Sequence, residues 1–256
     1  MAATDLQRIA NFRVSFARRQ AAVVTAVPGG VVVLDPRYPA SHEHNQLVIG
    51  GATVPAGLPA LADKTLGHLP YRRITIIDDA AGAAAGPALT AADYVHDTEV
   101  IMTHSGVTAV PGSPADSVTV PELRPALTRQ LSAWMPQASD AVLYQLADRR
   151  TARLAGADQV RFLAARDENG TIASWADLYR DPAEGIAQIE DVMTSDGHTR
   201  RGYGDIVLAT AVHQAAGCDL VFLLADAGDW PQTWYARRGF TPIGHSHVFT
   251  RTEAIA

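Results

Sequence analysis

A chain of 256 residues is longer than the usual domain of about 100–150 residues, so its length predicts two domains. With 47% hydrophobic and 19% charged residues, the composition excludes extensive disorder. The formal net charge of -6 disfavours non-specific binding to nucleic acid or to anionic membranes, because both kinds of binding need a basic surface. The single cysteine, Cys218, excludes an intrachain disulfide and a multi-cysteine zinc site.

Residues 1–20 contain four arginines without an apolar centre, so they do not have the pattern of a secretory signal. No stretch of the sequence reaches the roughly 18 apolar residues that a membrane-spanning helix needs. The lone cysteine fits a reducing compartment. We therefore expect a cytoplasmic protein that does not enter a membrane.

The first half of the chain predicts alternating helices and strands. Residues 6–19 have the apolar spacing of an amphipathic helix, and two β-branched runs joined by Pro-Gly-Gly predict a hairpin at 21–35. The next elements are predicted to be a strand at 46–49, a helix at 58–69, a strand at 73–78, a flexible small-residue segment at 80–87 with a short helix near Ala91, and a strand at 99–103.

Four prolines lie among small polar residues in residues 110–125, and this composition predicts a connection between domains. The predicted organisation is therefore an N-terminal α/β domain at 1–110, a proline-rich linker at 111–125 and a second domain at 126–256. In the second domain the patterns predict one long helix at 139–155, a hairpin at 160–179, a strand at 187–193, a helix at 205–216, a buried strand at 220–225, a short helix ending at Gly239 and a final hairpin.

The stretch from Ile189 to Gly204 combines a strand, a polar loop with two arginines, and two glycines at the start of a helix. Glycines allow the backbone to turn tightly and to approach a ligand, and amides at a helix N-terminus bind anions. Arg200 and Arg201 add positive charge. This stretch therefore predicts a site for a phosphorylated ligand.

Two motifs in this order resemble the GNAT superfamily of acyl-CoA-dependent N-acyltransferases. The sequence Thr-Arg-Arg-Gly-Tyr-Gly at 199–204 is similar to the pyrophosphate loop of the family, Gln/Arg-x-x-Gly-x-Gly/Ala. The sequence at 235–240 is similar to its later motif, a tyrosine followed by Gly-Phe. One helix and one buried strand separate them, as in the family, and the resemblance covers residues 139–251. The first half resembles the family in element order alone, as a degenerate tandem copy would.

The resemblance implies an α/β (α+β) protein: a GNAT fold with a splayed mixed sheet, preceded by a second, smaller α/β domain. It implies acetyl-CoA as co-substrate and no metal. The pantetheine arm is expected along a bulged strand, and the pyrophosphate on the loop amides. The implied cofactor-binding residues are Val192, Met193, Thr194, Thr199, Arg200, Arg201, Gly202, Tyr203 and Gly204. Thr199 departs from the family pattern because it offers a hydroxyl where Gln or Arg is usual.

Amide formation requires an amine that loses a proton, a stabilised oxyanion and a protonated leaving thiolate. Tyr235 matches the tyrosine acid of the family. Gln188 stands where some members have a glutamate base, so Glu190, on the same face of the strand, is the candidate base and Asp191 the second choice. Deprotonation through water, without a dedicated base, is a third alternative. The backbone N–H of Val192 or Met193 is the expected oxyanion donor.

The predicted function is N-acetyl transfer from acetyl-CoA to a primary amine of a small molecule, by a monomer or homodimer. The alternative from another class is a non-catalytic protein that binds or senses acyl-CoA. His42 and His44 suggest a metal site only weakly, because no third ligand has suitable spacing. His245 and His247 alternate on the final predicted hairpin and are expected to share one face.

Overall fold

The computed structural model describes residues 4–105 and 112–252. It divides into two compact units, which are described separately. The first unit combines Met1–Met102 with Leu224–Ala256, and the second is Thr103–Leu223. This division differs from the predicted boundaries because the last part of the chain groups with the first. The assignment of roles to separate halves stays a prediction.

The helices are, in chain order, α1 (Asp5–Gln20), α2 (Leu58–Leu66), α3 (Asp79–Thr90), α4 (Val120–Trp134), α5 (Asp140–Asp148), α6 (Arg150–Arg153), α7 (Tyr203–Gln214) and α8 (Pro231–Ala236). The strands are β1 (Val23–Val27), β2 (Gly30–Leu34), β3 (Gln46–Ile49), β4 (Tyr71–Ile76), β5 (Val95–His104), β6 (Asp116–Val118), β7 (Gln159–Arg166), β8 (Ile172–Asp181), β9 (Ile186–Thr194), β10 (Leu220–Asp226) and β11 (Phe240–Thr252). None of these described helices is both long and apolar enough to cross a membrane.

In the first unit the strands follow the order β1-β2-β3-β4-β11-β5. β3 and β4 run parallel, whereas β1 with β2, β2 with β3, and β11 with β4 are antiparallel. Alternate side chains of β3, β4 and β11 pack against α2 and α3, and their core includes Leu47, Ile74 and Phe249. Because these side chains are removed from water, the hydrophobic effect stabilises the unit around this sheet.

In the second unit the order is β10-β9-β8-β7-β6, with β9 and β10 parallel and the other pairs antiparallel. Leu123, Phe162 and Trp175 belong to a core that α4 and α5 close on one side. The mixed α/β fold class predicted from the sequence is therefore observed in each unit. The central strand, β9, ends beside the loop that leads to α7.

Three predicted elements are wrong. Residues 80–87 form α3 because alanine favours helix and the Asp78 side chain accepts a hydrogen bond from the N–H of Ala81, which caps the first turn. The single helix predicted at 139–155 is interrupted at Arg149, so α6 turns Arg150 and Arg153 inward. The final hairpin is instead one continuous strand, β11, whose second half pairs with β4.

The predicted linker also contains regular structure. Residue 111 lies outside the described residues, but 112–125 include β6 and the first turns of α4. Thr119 and Glu122 form a reciprocal capping box, and Pro121 occupies the first turn, where a missing N–H removes no helical bond. Proline there marks the beginning of a helix, which explains why composition alone predicted a connection.

Candidate functional site

A β-bulge interrupts the pairing of β8 with β9. Trp175 pairs with Met193, whereas Asp177 pairs with Glu190, so β9 has two residues, Asp191 and Val192, opposite one residue of β8. Asp191 has a left-handed backbone with φ of 50°. A bulge of this kind bends the strand and re-aims the residues that follow it. The pairing with β8 resumes at Met193 and Thr194, so the irregularity is confined to Asp191 and Val192.

The parallel pairing of β9 with β10 stops just before the bulge. It runs from Ile186 opposite Leu220 to Ile189 opposite Leu223, and the register of the described residues contains no such pair for residues 190–194. An unpaired strand edge presents backbone N–H and C=O groups that can bind an extended ligand. The site residues predicted on β9 lie on this segment.

Four buried or half-buried charged side chains hold the bulge. Arg150 binds Asp177 (Nε to Oδ1, 3.1 Å) and Asp191 (2.7 Å), and Arg153 binds both carboxylates at 2.6 Å. Tyr179 donates a further hydrogen bond to Asp177. Asp177 and the two arginines are buried, so water does not screen these ion pairs. We call Arg150, Arg153, Asp177 and Asp191 the bulge clamp.

The bulge clamp distinguishes the two candidate bases, because only Asp191 belongs to it. The Asp191 carboxylate accepts hydrogen bonds from both arginines and is thereby committed to structure. Glu190 is half-buried beside it and accepts a hydrogen bond from the side-chain amide of Gln188. Glu190 thus remains the better candidate of the two, and Gln188 fixes the orientation of its carboxylate.

Ser174 secures the end of β9 to β8. Its hydroxyl donates to the carbonyl of Met193 (2.5 Å) and accepts from the Thr194 hydroxyl (3.1 Å). The N–H of Ser195 binds the carbonyl of Ala173 at 2.9 Å. These bonds satisfy polar groups on the β8 side of the strand end. Sequence reasoning missed Ser174, because its partners lie about twenty residues away along the chain.

The predicted anion loop lies at the start of α7. Arg200 and Gly202 have left-handed backbones, with φ of 59° and 84°, and Gly202 precedes the first helical residue. The first intrahelical bond joins the N–H of Ile206 to the carbonyl of Gly202 (3.2 Å), so the amides of Tyr203 and Gly204 open the helix without a helical acceptor. No side chain of the described residues caps this end. Amides in this arrangement bind anions.

The two loop arginines differ in their surroundings. Arg201 pairs with Glu168 at 3.2 Å and lies 5.5 Å from the centre of the Tyr203 ring. Arg200 is exposed and makes no ion pair with any residue that the structure describes. The Thr199 hydroxyl donates to the carbonyl of Asp196. Arg200 is therefore the positive side chain of the loop that is available to a ligand.

His198 anchors the loop to the turn between β7 and β8. Its Nε2 atom lies 3.0 Å from the Asp167 carboxylate, which also accepts from the backbone N–H groups of Asn169 and Thr171. The hydrogen bond from His198 is the main reason why the pKa of Asp167 lies below its usual value. Sequence reasoning missed this pair, since neither residue belongs to a recognisable motif.

Tyr235 belongs to the other compact unit, in α8. Its side chain is buried, with its ring 5.1 Å from that of Trp234 and 5.8 Å from that of Phe240. These edge contacts orient the ring within its own unit. The acid role assigned to Tyr235 from the sequence stays a prediction.

The histidines at 42 and 44 take part in local packing. The His42 ring stacks 3.7 Å from the Tyr71 ring, and buried His44 is hydrogen-bonded to Ser41 at 2.9 Å. Within residues 4–105 and 112–252, no group of three or more His, Cys, Asp and Glu side chains is arranged to hold a metal ion. These contacts give both rings a structural role in their loop.

Comparisons with known proteins agree with this geometry. Residues 122–240 match the model of the Acetyltransferase (GNAT) family. No curated protein sequence matches the chain. The structure is similar to a GCN5-related N-acetyltransferase from Kribbella flavida, with 18% identity, coverage of 99% of this chain and 98% of that chain, and a TM-score of 0.68.

Two further solved structures are similar over most of the chain. A conserved protein of unknown function from Staphylococcus epidermidis has 12% identity, coverage of 90% and 93%, and a TM-score of 0.66. A tandem GNAT protein from the clavulanic acid biosynthesis pathway has 13% identity, coverage of 96% and 89%, and a TM-score of 0.55. At these identities the likeness establishes the fold. The predicted fold class and the predicted resemblance are both confirmed.

Proposed function

We propose, from the match of residues 122–240 to the Acetyltransferase (GNAT) family model, that the protein transfers an acetyl group from acetyl-CoA to a primary amine of a small molecule. The observation that carries this proposal is that two features occur together in the second unit. Strand β9 has a bulge and lacks a β10 partner beyond it, and the loop at the start of α7 has a left-handed backbone and no side-chain cap among the described residues. The first feature suits an extended thioester arm, and the second suits a pyrophosphate.

The loop would hold the pyrophosphate through the amides of Tyr203 and Gly204 and through the side chain of Arg200. Backbone groups of Val192, Met193 and Thr194 would bind the pantetheine arm along the unpaired edge. Acetyl-CoA would supply an acetyl thioester at the end of that arm. The net charge of -6 favours a cationic small molecule as acceptor over an anionic one.

The residues would divide the proton transfers between them. Glu190 would take a proton from the substrate ammonium, so that the amine nitrogen can form a bond to the acetyl carbon. The N–H of Val192 or Met193 would stabilise the oxyanion. When the carbon–sulfur bond breaks, the Tyr235 hydroxyl would protonate the departing thiolate.

Replacing Gly202 by valine is expected to weaken acetyl-CoA binding about 10-fold, or about 1.4 kcal/mol, since a β-branched residue opposes the left-handed backbone that exposes the loop amides. Isothermal titration calorimetry measures this. Gly217 is a matched control, because it also has a left-handed backbone (φ of 93° against 84°) and room for an added Cβ, but it lies beyond the C-terminal end of α7. If Gly202→Val and Gly217→Val bind equally well, the loop assignment is wrong.

Replacing Glu190 by glutamine is expected to lower kcat about 10-fold at pH 7, less than a full general-base effect because water offers a second route for the proton. The activity of the variant should recover as the pH rises, since a larger fraction of the amine is then already neutral. Release of CoA thiol with a panel of small amines measures both. Glu184→Gln, an exposed glutamate before β9, is the control. Equal pH profiles for all three proteins would exclude Glu190 as the base.

Non-catalytic binding of acyl-CoA is the second candidate, and one observation favours it. The Gln188 side chain occupies part of the hydrogen-bonding capacity of the Glu190 carboxylate, which is the group that catalysis would need. A binding or sensing role would be favoured if the protein binds acetyl-CoA tightly and releases no CoA with any amine, while Gly202→Val still weakens acetyl-CoA binding.

A further inference from the structure

Three histidines and one aspartate form a connected cluster in the first unit, which the proposed acetyl transfer does not use. His96 Nε2 lies 2.8 Å from His247 Nδ1, and His247 Nε2 lies 3.0 Å from Asp79 Oδ1. His245 Nδ1 lies 3.3 Å from the other carboxylate oxygen, Asp79 Oδ2. The sequence predicted that His245 and His247 share a face of the strand, and both reach Asp79.

Hydrogen-bonding chemistry fixes the protons along this chain. A carboxylate only accepts, so His247 Nε2 must carry the proton that Asp79 Oδ1 receives. Neutral His247 then has a lone pair on Nδ1, and this atom accepts the proton of His96 Nε2. The Nδ1 atom of His96 is consequently left with its own lone pair. It has no hydrogen-bond partner among the described residues.

The fold buries the imidazole of His247, the inner histidine, and leaves that of His96, the outer histidine, at the surface. A Cβ on Gly82 would approach the His247 ring to 2.0 Å, so only glycine at this position of α3 admits the ring. His247 is 6% exposed, whereas His96 is exposed. The His96 ring stacks on the Phe249 ring at 4.3 Å with an interplanar angle of 11°. This stacking holds the outer imidazole in line with the inner one.

We propose that Asp79, His247 and His96 form a proton relay that makes the Nδ1 atom of His96 a general-base site for a cationic ligand whose ammonium group must lose a proton. The exposed carboxylate of Asp97, next to His96 in β5, and that of Asp79 favour a positively charged ligand. The site is independent of the acetyl transfer proposed above.

The charges around the relay agree with this assignment. Burial is the main reason why the pKa of His96 lies below the usual histidine value; a positive charge on His247 would lower it further, and Asp97 opposes both effects. The hydrogen bond from His247 is the main reason why the pKa of Asp79 is lowered, with a further contribution from His245. The His96 imidazole is therefore neutral, and the exposed Asp79 carboxylate is ionised, at neutral pH.

Proton uptake would move charge inward. When His96 Nδ1 takes a proton from the ligand, the proton on His96 Nε2 passes to His247 Nδ1. The positive charge then lies on His247, in contact with the Asp79 carboxylate, and His96 is again neutral. Because an opposite charge within hydrogen-bonding distance stabilises a cation, the Asp79 carboxylate makes this uptake more favourable than it would be without that carboxylate.

Nitrogen NMR of the ¹⁵N-histidine-labelled protein tests the proton positions directly. At pH 7.5 we expect a protonated Nε2 and an unprotonated Nδ1 on both His96 and His247. In Asp79→Asn the population of the Nε2–H tautomer of His247 should fall, since a neutral amide oxygen accepts that proton less strongly than a carboxylate does. His245→Gln, which removes the other donor to Asp79, should leave the protonation pattern of the pair unchanged.

Hydrolysis of p-nitrophenyl acetate tests the base function, with water as the proton donor. Water adds to the ester carbonyl as His96 Nδ1 takes its proton, and the adduct then expels nitrophenolate and leaves acetate. We expect the second-order rate constant to fall about 10-fold in His96→Gln, an exposed position, and to stay unchanged in His245→Gln. Protonation of His96 on Nδ1 at pH 7.5, an unchanged tautomer population of His247 in Asp79→Asn, or equal hydrolysis by His96→Gln would each overturn the proposal.

Discussion

Replacing Tyr235 by phenylalanine is expected to lower kcat about 100-fold and to leave the KM for acetyl-CoA within about twofold, the pattern of an acid that acts only in the transition state. The substitution removes one oxygen atom and keeps the ring. Because the Tyr235 ring is buried against Trp234 and Phe240, its position should not change. Initial rates of CoA release at saturating amine measure the effect.

Tyr94 provides the matched control, since it is another buried tyrosine of the same unit. Its ring is 4% exposed, and its hydroxyl has no hydrogen-bond partner among the described residues. Tyr94→Phe should keep full activity and stability, because it removes a buried polar group that lacks a hydrogen bond. If Tyr235→Phe retains the wild-type kcat, or if both variants lose activity equally, Tyr235 is not the acid.

The backbone of the predicted anion loop was accessible to prediction because its features are local. The left-handed backbone at Gly202 and the helix that starts at Tyr203 follow from a few adjacent residues. Glycine tolerates that backbone, and the first turn of any helix exposes amides. The positions of the strands β7 to β10 were equally predictable, since buried runs and turn residues alternate clearly along the sequence. These parts of the fold depend on short stretches whose propensities agree with the final structure.

The errors have a common physical origin in competing signals at single residues. Small residues at 80–87 suggested flexibility, but the cap at Asp78 and the packing of Ala85 and Leu89 favour α3. Prolines at 121 and 125 suggested a linker, but buried Leu123 and Leu127 give α4 an apolar face that packs on the sheet. Tertiary packing determines the secondary structure of both segments, and the composition of a segment does not show how it packs.

The bulge clamp was beyond sequence reasoning because its partners are far apart along the chain. Arg150 precedes Asp177 by 27 residues and Asp191 by 41 residues. Neither arginine lies in a motif, and both resemble the solvated charges of an amphipathic helix. Their inward direction depends on the break at Arg149, which ends α5 and starts α6. The strained residue that they hold, Asp191, is visible only in the backbone angles.

Removing one arm of the clamp is expected to have the largest effect on stability. Arg153→Met should lower the free energy of unfolding by about 3 kcal/mol, because it leaves a buried Asp177 carboxylate with fewer compensating donors. Arg153 is 2% exposed and binds Asp177 and Asp191 at 2.6 Å each. Urea denaturation followed by circular dichroism measures the change.

A half-exposed pair in the same unit gives the comparison. Arg124, on α4, pairs with Asp148, and both side chains are partly open to water. Arg124→Met should therefore cost about 1 kcal/mol or less. A loss of the same size in the two variants would mean that burial does not strengthen the clamp.

The clamp should also position the unpaired edge of β9 that is proposed to bind the pantetheine arm. A double-mutant cycle can measure this effect. Asp191→Asn keeps a residue that tolerates the left-handed backbone but removes the charge that Arg150 and Arg153 bind. If Arg153 positions β9 through Asp191, the two substitutions should be coupled by about 1–2 kcal/mol in stability, and either alone should weaken acetyl-CoA binding. Additive stability changes with unaltered acetyl-CoA affinity would instead restrict Arg153 to filling and neutralising the space around Asp177.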